Sequence, residues 1–387
     1  MRFALHPQRI FTPTGIRYNH YVVVNNGKVE CVIDSRPSDC EVIELDGQTL
    51  VPGFIDIHIH GRAGADVMDA TPAALQTIAQ ALPATGVVAW VGTTVTAPWI
   101  DIVSALQQVR LFCERPQTSG ATLLGSFLEG PYFTATHRGS HPTQYLTAPT
   151  ITALAELKEV AADSLLRVAL APEYDGANEA IQWLTDNGIK TSIAHTNANF
   201  EQVTQAHQHG ADCGVHLFNG MSGLHHREPG CAGAVLYHDM LVELIADGIH
   251  VHPVMMQLAY RIKGYQGMAL ITDCMRAGGL DDGKYQLGAQ MVNVTNGEAR
   301  TDDGSLAGST CSLDQAIRNM ILLANVPEWE AIQMATAVPA KYLGIDHQLG
   351  AIATGYNASF AVLNTQFEIQ ATLIDGEWYY PSSNQQQ

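Results

Sequence analysis

Charge is scarce in this sequence, and most of it has one sign. Only 15% of the 387 residues are charged, with 38 Asp and Glu against 20 Lys and Arg, for a formal net charge of −18. That balance excludes nucleic acid and an anionic membrane surface as the main partner. It also means that an anionic substrate needs a local cationic pocket. Paired cysteines are missing: Cys31, Cys40, Cys113, Cys213, Cys231, Cys274 and Cys311 are scattered, with no Cys-x-x-Cys. This is the usage of reduced thiols, not of a disulfide framework. No apolar run approaches the ~20 residues needed to span a bilayer, and the Met1-Arg2-Phe3 start leads into mixed polar sequence with no signal-peptide pattern. These absences predict a cytoplasmic protein. Apolar residues, by contrast, make up 46% of the chain, enough for a sizeable core and too many for disorder.

Two β-rich ends bracket a long alternating middle. Tyr21–Ile33 reads as a hairpin turning at Asn26-Gly27, and Gln370–Tyr380 as strands broken at Asp375-Gly376. The ends are expected to build a small β-sandwich domain from residues 1–50 and 348–387, with 381–387 a loose tail. Between them, eight apolar runs alternate with helical stretches: Phe54–His60, Val87–Thr94, Leu123–Glu129, Leu166–Pro172, Lys190–His195, Cys213–Phe218, Val242–Asp247 and Met268–Asp273. Ala177–Gly188 reads as a helix closed by glycine, and Asn199–Gly210 as one capped by Asn199. This alternation predicts a (β/α)8 TIM barrel over residues 51–347. The rival, an open doubly wound sheet, lacks a Gly-x-Gly-x-x-Gly after the first run.

Polar residues fall where such a barrel would use them. His58 and His60 close the first run, Glu129 the third and His195 the fifth; His216 lies in the sixth and Asp273 closes the eighth. In a β/α barrel the C-terminal strand ends converge on one mouth. Neutral imidazoles with carboxylates suit zinc or a similar first-row divalent ion, with a carboxylate free to shuttle a proton. His58 and His60 share one face of their strand, since alternate residues point the same way. No run ends in a lysine that could be carboxylated to bridge two metals. Cys274 reads as a packing residue, and Asp56 as a partner for its strand neighbours.

Pro52–His60 resembles the metal-binding first strand of the amidohydrolase superfamily. Further segments resemble the N-acetylglucosamine-6-phosphate deacetylases within it: Leu128–Tyr132, Arg138–His141, Ala194–Asn197, His216–Met221, Arg227–Gly230, Ala246–His250, Ile271–Asp273 and Leu306–Ser309. Gly223–Gly230 and Ala65–Asp69 also look like the related N-acetylgalactosamine-6-phosphate deacetylases. The resemblance implies hydrolysis of the N-acetyl group of an amino-sugar 6-phosphate. It implies that Glu129, His195 and His216 hold the principal metal, Zn2+ or Fe2+. His58 and His60 would complete a second position with Glu129 bridging, giving one or two ions per chain. Asp273 would act as base and then acid, and His141 would polarise the acetyl carbonyl. Asn219, Gly220 and Leu306, Ala307, Gly308 and Ser309 would contact the sugar; Arg227 and His250 would bind phosphate. A homodimer is implied, with Arg227 reaching the partner's site. A cyclic-amide or aminoacylase-type hydrolase and a non-catalytic metal-stabilised scaffold stand as alternatives.

Overall fold

The computed structural model describes residues 1–117, 119–288 and 290–380; the expected tail lies outside them. Eight parallel strands form one sheet in which every strand pairs with its chain neighbours. They are β1 (Phe54–Ile59), β2 (Val87–Thr93), β3 (Thr122–Glu129), β4 (Leu165–Leu170), β5 (Lys190–Ile193), β6 (Ala211–Gly214), β7 (Leu241–Ile245) and β8 (Met268–Ile271). Each lies within or beside one of the eight predicted runs. All residues of β1 and β2 are buried, as expected of strands covered on both faces.

The sheet closes in two ways. At the mouth, His60 N donates to Cys274 O and Asp273 N to His58 O, both at 2.9 Å. Lower down, the segment between two later helices fills the gap: Ile55 N donates to Ala335 O and Leu270 N to Met334 O, again at 2.9 Å. Buried Asp56 also ties the first strand to the eighth, accepting from Thr272 Oγ1 at 2.6 Å.

Helices jacket the barrel. Ala177–Asp186 buries Ala177, Ala180, Ile181 and Leu184, the spacing of one helical face. The expected Asn199 cap is present, as a reciprocal pair with Gln202. No helix among the described residues is long and apolar enough to cross a membrane.

Both chain ends enter a single eight-stranded sheet. Phe360–Leu363 from the C-terminal part runs antiparallel to Glu41–Pro52 from the N-terminal part. Leu5, Ile10, Val22, Val24, Phe360 and Leu373 are among the residues of its separate apolar cluster.

One element was not anticipated. After β8 the chain forms a three-stranded antiparallel sheet, Gly283–Leu287, Gln290–Thr295 and Glu298–Thr301. Its inward side chains, Leu287, Val292, Val294 and Ala299, pack with Val95, Met275, Ala277 and Ala307 beside the mouth. Gln290 donates to Ser140 O, and Arg138 pairs with Asp303 at 3.5 Å. The insert is thereby tied to the loop that carries His141.

Candidate active site

The six polar residues at the strand ends meet. Glu129 sits between two groups of imidazoles. Its Oε1 lies 3.1 Å from His216 Nε2 and 3.5 Å from His195 Nε2, which are themselves 3.2 Å apart. Its Oε2 lies 3.2 Å from His60 Nε2 and 3.5 Å from His58 Nε2. Asp273 Oδ1 stands beside the second group, 3.1 Å from His60 and 3.6 Å from His58. The two oxygens of one carboxylate thus address two different sets of nitrogens.

The backbone bends sharply to aim these groups. His195, His216 and Asp273 each lie two residues past a strand end, with φ of 43°, 31° and 49°. Positive φ costs a non-glycine residue about 1–3 kcal/mol and persists where the surroundings enforce it. Gly220 has φ of 58°, and a Cβ there would come 2.6 Å from His195 Nδ1. Only glycine lets that loop pass behind the His195 ring.

Hydrogen bonds outside the cage decide which nitrogen of each ring faces in. His60 Nδ1 faces Thr93 O at 3.1 Å, His195 Nδ1 faces His137 O at 3.0 Å, and His216 Nδ1 faces Asn219 O at 3.1 Å. His58 Nδ1 faces the Glu243 carboxylate at 3.0 Å. Carbonyl and carboxylate oxygens only accept, so each Nδ1 carries hydrogen. Each Nε2 lone pair is then available to a cation, as in metal-bound histidine. His141 is the opposite case. Its Nδ1 lies 3.3 Å from Thr96 N, an obligatory donor, and 2.8 Å from Thr96 Oγ1. Nδ1 therefore accepts, and Nε2 carries the hydrogen. Burial, with His195 close by, holds His141 well below the ordinary histidine range. It is a neutral hydrogen-bond donor.

The electrostatics call for a cation. Burial would push Asp273 upward, but His58 and His60 overcome it and hold the carboxyl at about 2. Burial likewise opposes ionisation of Glu129, yet His58, His195 and His216 hold it well below the usual carboxylate range. The carboxylates draw His60 up to about 9 against burial, so a metal ion would bind at its Nε2 by displacing a proton. Donor atoms around a tetrahedral ion at 2.0–2.1 Å lie about 3.3–3.4 Å from each other. The spacings of 3.1–3.6 Å within the cage match that edge. Donor type, spacing and ring orientation all fit a divalent metal.

The cleft above the cage is lined by His60, Glu129, His141, His195, His216 and Asp273, and further out by Asn219, Gly220, His250, Leu306 and Gly308. His58 lies fully buried beneath. Ala307 belongs to the apolar cluster under the insert, and Ser309 Oγ donates to Thr272 O at 2.5 Å. Neither is among the lining residues: both support the rim from behind. Arg227 stands apart. It is exposed, donates to His226 Nε2 at 2.8 Å and borders a different cavity with Asn197 and Phe200. Among the described residues, no Lys or Arg lines the cleft. Cys274 is fully buried, and burial pushes its thiol up to about 11, as suits a packing residue.

Sequence reasoning missed Thr96, which sets the His141 tautomer, and the pair Glu243 and Arg167 behind His58. Both charged residues sit inside apolar strand runs, which was the available signal.

A β/α barrel mouth lined by histidine and carboxylate donors that fit a divalent ion is that of a metal-dependent hydrolase. The chain belongs to the amidohydrolase family, whose model matches residues 49–379. Particular relatives narrow the class. An N-acetylglucosamine-6-phosphate deacetylase of Vibrio furnissii is 44% identical over 89% of this chain and 86% of its own length. An N-acetylgalactosamine-6-phosphate deacetylase of Escherichia coli O157:H7 is 41% identical over 97% of this chain and 99% of its own. Among solved structures, a mutant N-acetyl-D-glucosamine-6-phosphate deacetylase of Mycobacterium smegmatis, in complex with N-acetyl-D-glucosamine-6-phosphate, superposes with a TM-score of 0.92. It is 28% identical, covering 98% of this chain and 99% of that one.

Proposed function

We propose that this chain hydrolyses the N-acetyl group of N-acetylglucosamine 6-phosphate, giving glucosamine 6-phosphate and acetate, in amino-sugar catabolism in the cytoplasm. The observation that carries the chemistry is that Asp273 and His141 line one cleft. One is an ionised acceptor at the edge of the cage; the other is a neutral imidazole whose Nε2–H faces the same cleft. Glu129, His195 and His216 would hold one divalent ion, and His58 and His60, with the other oxygen of Glu129, a second. Zinc is the first choice and iron the second for this ligand set. Such an ion supplies Lewis acidity and a nucleophilic hydroxide near neutral pH.

The side chains do the rest. Asp273 begins ionised, takes the proton of the attacking water, and returns it to the amide nitrogen as the C–N bond breaks. His141 donates from Nε2 to the acetyl oxygen as negative charge develops there, held in that tautomer by Thr96. Asn219, Gly220, Leu306 and Gly308 contact the sugar, with Ala307 and Ser309 supporting that rim from behind, and His250 takes part of the phosphate. Among the described residues the cleft is lined by no cationic side chain beyond histidine. Arg227, exposed and outside it, serves the partner's site in a homodimer, where a guanidinium fork suits phosphate oxygens.

The galacto sugar is the second reading, favoured by the Escherichia coli relative that matches nearly end to end. Acetate release from both N-acetylhexosamine 6-phosphates tests the assignment. Preference for the gluco sugar is expected. A clear preference for the galacto sugar transfers the assignment to that epimer, and release from neither overturns it.

A further inference from the structure

Beneath the cage lies an ion pair that the hydrolytic reading does not use. Arg167 and Glu243 are both fully buried inside the barrel, with a side-chain contact of 2.5 Å between Arg167 Nη2 and Glu243 Oε1. They come from β4 and β7, which two other strands separate in the sheet order. Arg167 Nη1 donates to Ile57 O at 2.9 Å and Nη2 to Ser192 Oγ at 3.0 Å. Its guanidinium lies over the Phe127 ring at 4.1 Å and the Tyr342 ring at 5.1 Å. The other oxygen of Glu243 faces His58 Nδ1.

A barrel interior is ordinarily packed with branched apolar side chains. A buried ion pair there gives little net stability, since desolvation of both charges offsets their attraction. Its placement explains it better than its energy. Three cage histidines rest their outer nitrogen on a main-chain carbonyl. Only His58 rests on a carboxylate, and that carboxylate is held by an arginine anchored to the strand that carries His58. Arg167 reaches Ile57 O, the peptide group immediately before His58.

We infer that Glu243 and Arg167 are positioning residues for the inner metal position, the one built from His58, His60 and the second oxygen of Glu129. Glu243 fixes the His58 tautomer, turns its Nε2 toward the cage and adds basicity through a negative charge behind the ring. Arg167 keeps that carboxylate in place and in register with the strand. The outer position, Glu129 with His195 and His216, does not touch the pair. The inference rests on reading the cage as a metal site, but not on the substrate or the reaction.

Zinc titration of the metal-stripped chain tests this without reference to turnover. Two equivalents are expected in the wild type. The double variant Arg167→Met with Glu243→Leu removes both charges together and keeps the interior filled. It is expected to bind one equivalent as before and the other about 10–100-fold more weakly, the usual effect of losing a partner behind a metal-bound histidine. Arg167→Met with Glu243→Gln restores a neutral acceptor to His58 Nδ1 and is expected to recover part of that loss. It also guards against misfolding of the first variant, and thermal unfolding of the metal-free chains reports folding separately. Unchanged affinity for both equivalents in a folded Leu variant would assign the pair to packing alone and overturn the inference. Equal weakening of both equivalents would overturn its restriction to the inner position. A wild type that takes up no zinc at all would remove the metal reading and this inference together.

Discussion

The metal cage and the rim of the cleft are built on different plans. Every donor of the cage is buried and contributed by this one chain, and each of its imidazoles is held from behind by a hydrogen bond. The rim is assembled from loops and a small inserted sheet, and the arginine expected to bind phosphate borders a different cavity. Under the proposed function, the difference separates chemistry from recognition. Bond breaking needs groups fixed to within a fraction of an ångström, and strand ends of a closed barrel supply that. Recognition of a phosphate needs charge, and among the described residues no Lys or Arg lines the cleft. The cage is complete in one copy, whereas in the proposed homodimer the rim is completed by a second.

Substitutions on the two sides should therefore fail differently. The largest effect is expected from Asp273→Asn: acetate release falls by about 10²–10⁴-fold, the usual contribution of a general acid–base group, with metal content unchanged by elemental analysis. Release near the wild-type rate would remove Asp273 from its role. His141→Asn follows, with kcat down by about 10²–10³-fold, as for loss of one donor to a developing oxyanion. An effect on KM alone would make His141 a binding group. Arg227→Ala should act on the rim only. KM for the phosphorylated sugar rises roughly 10–100-fold, equivalent to ~1.5–3 kcal/mol for a charged hydrogen bond, while kcat holds. If mixing Arg227→Ala chains with chains carrying a cage mutation restores no active sites, the arginine does not act across an interface. The smallest effect on rate is expected from replacing His58 and His60 together with alanine. Metal content falls from two ions to one, and the Glu129–His195–His216 position stays filled. Loss of all bound metal would make the first-strand pair the primary site.

The cage was legible in the sequence because barrel topology does the folding on paper. Once eight runs alternate with helices, their C-terminal ends must share a mouth. His58, His60, Glu129, His195, His216 and Asp273 then come together although they span more than 200 residues of chain. What supports them was harder to see. Thr96 reaches His141 through a loop contact that no periodicity signals. Arg167 and Glu243 pair across the barrel, between strands separated by two others. Each was visible only as a charge inside an apolar run. The three-stranded insert did carry a sign, since Asn296-Gly297 is a two-residue hairpin turn with both φ positive. Its flanking strands are short and half-exposed, so their alternation is weak beside that of the barrel.

The proposed reaction is hydrolysis of an N-acetylated amino-sugar phosphate by a metal held in this cage. It is tested most directly by measuring acetate release from N-acetylglucosamine 6-phosphate and from the same sugar without phosphate, with metal content per chain determined in parallel. Turnover of the phosphorylated sugar is expected to disappear on chelation and return with added zinc, with little turnover of the unphosphorylated one. Equal turnover of both sugars, or full activity from a chain shown to carry no metal, would contradict it.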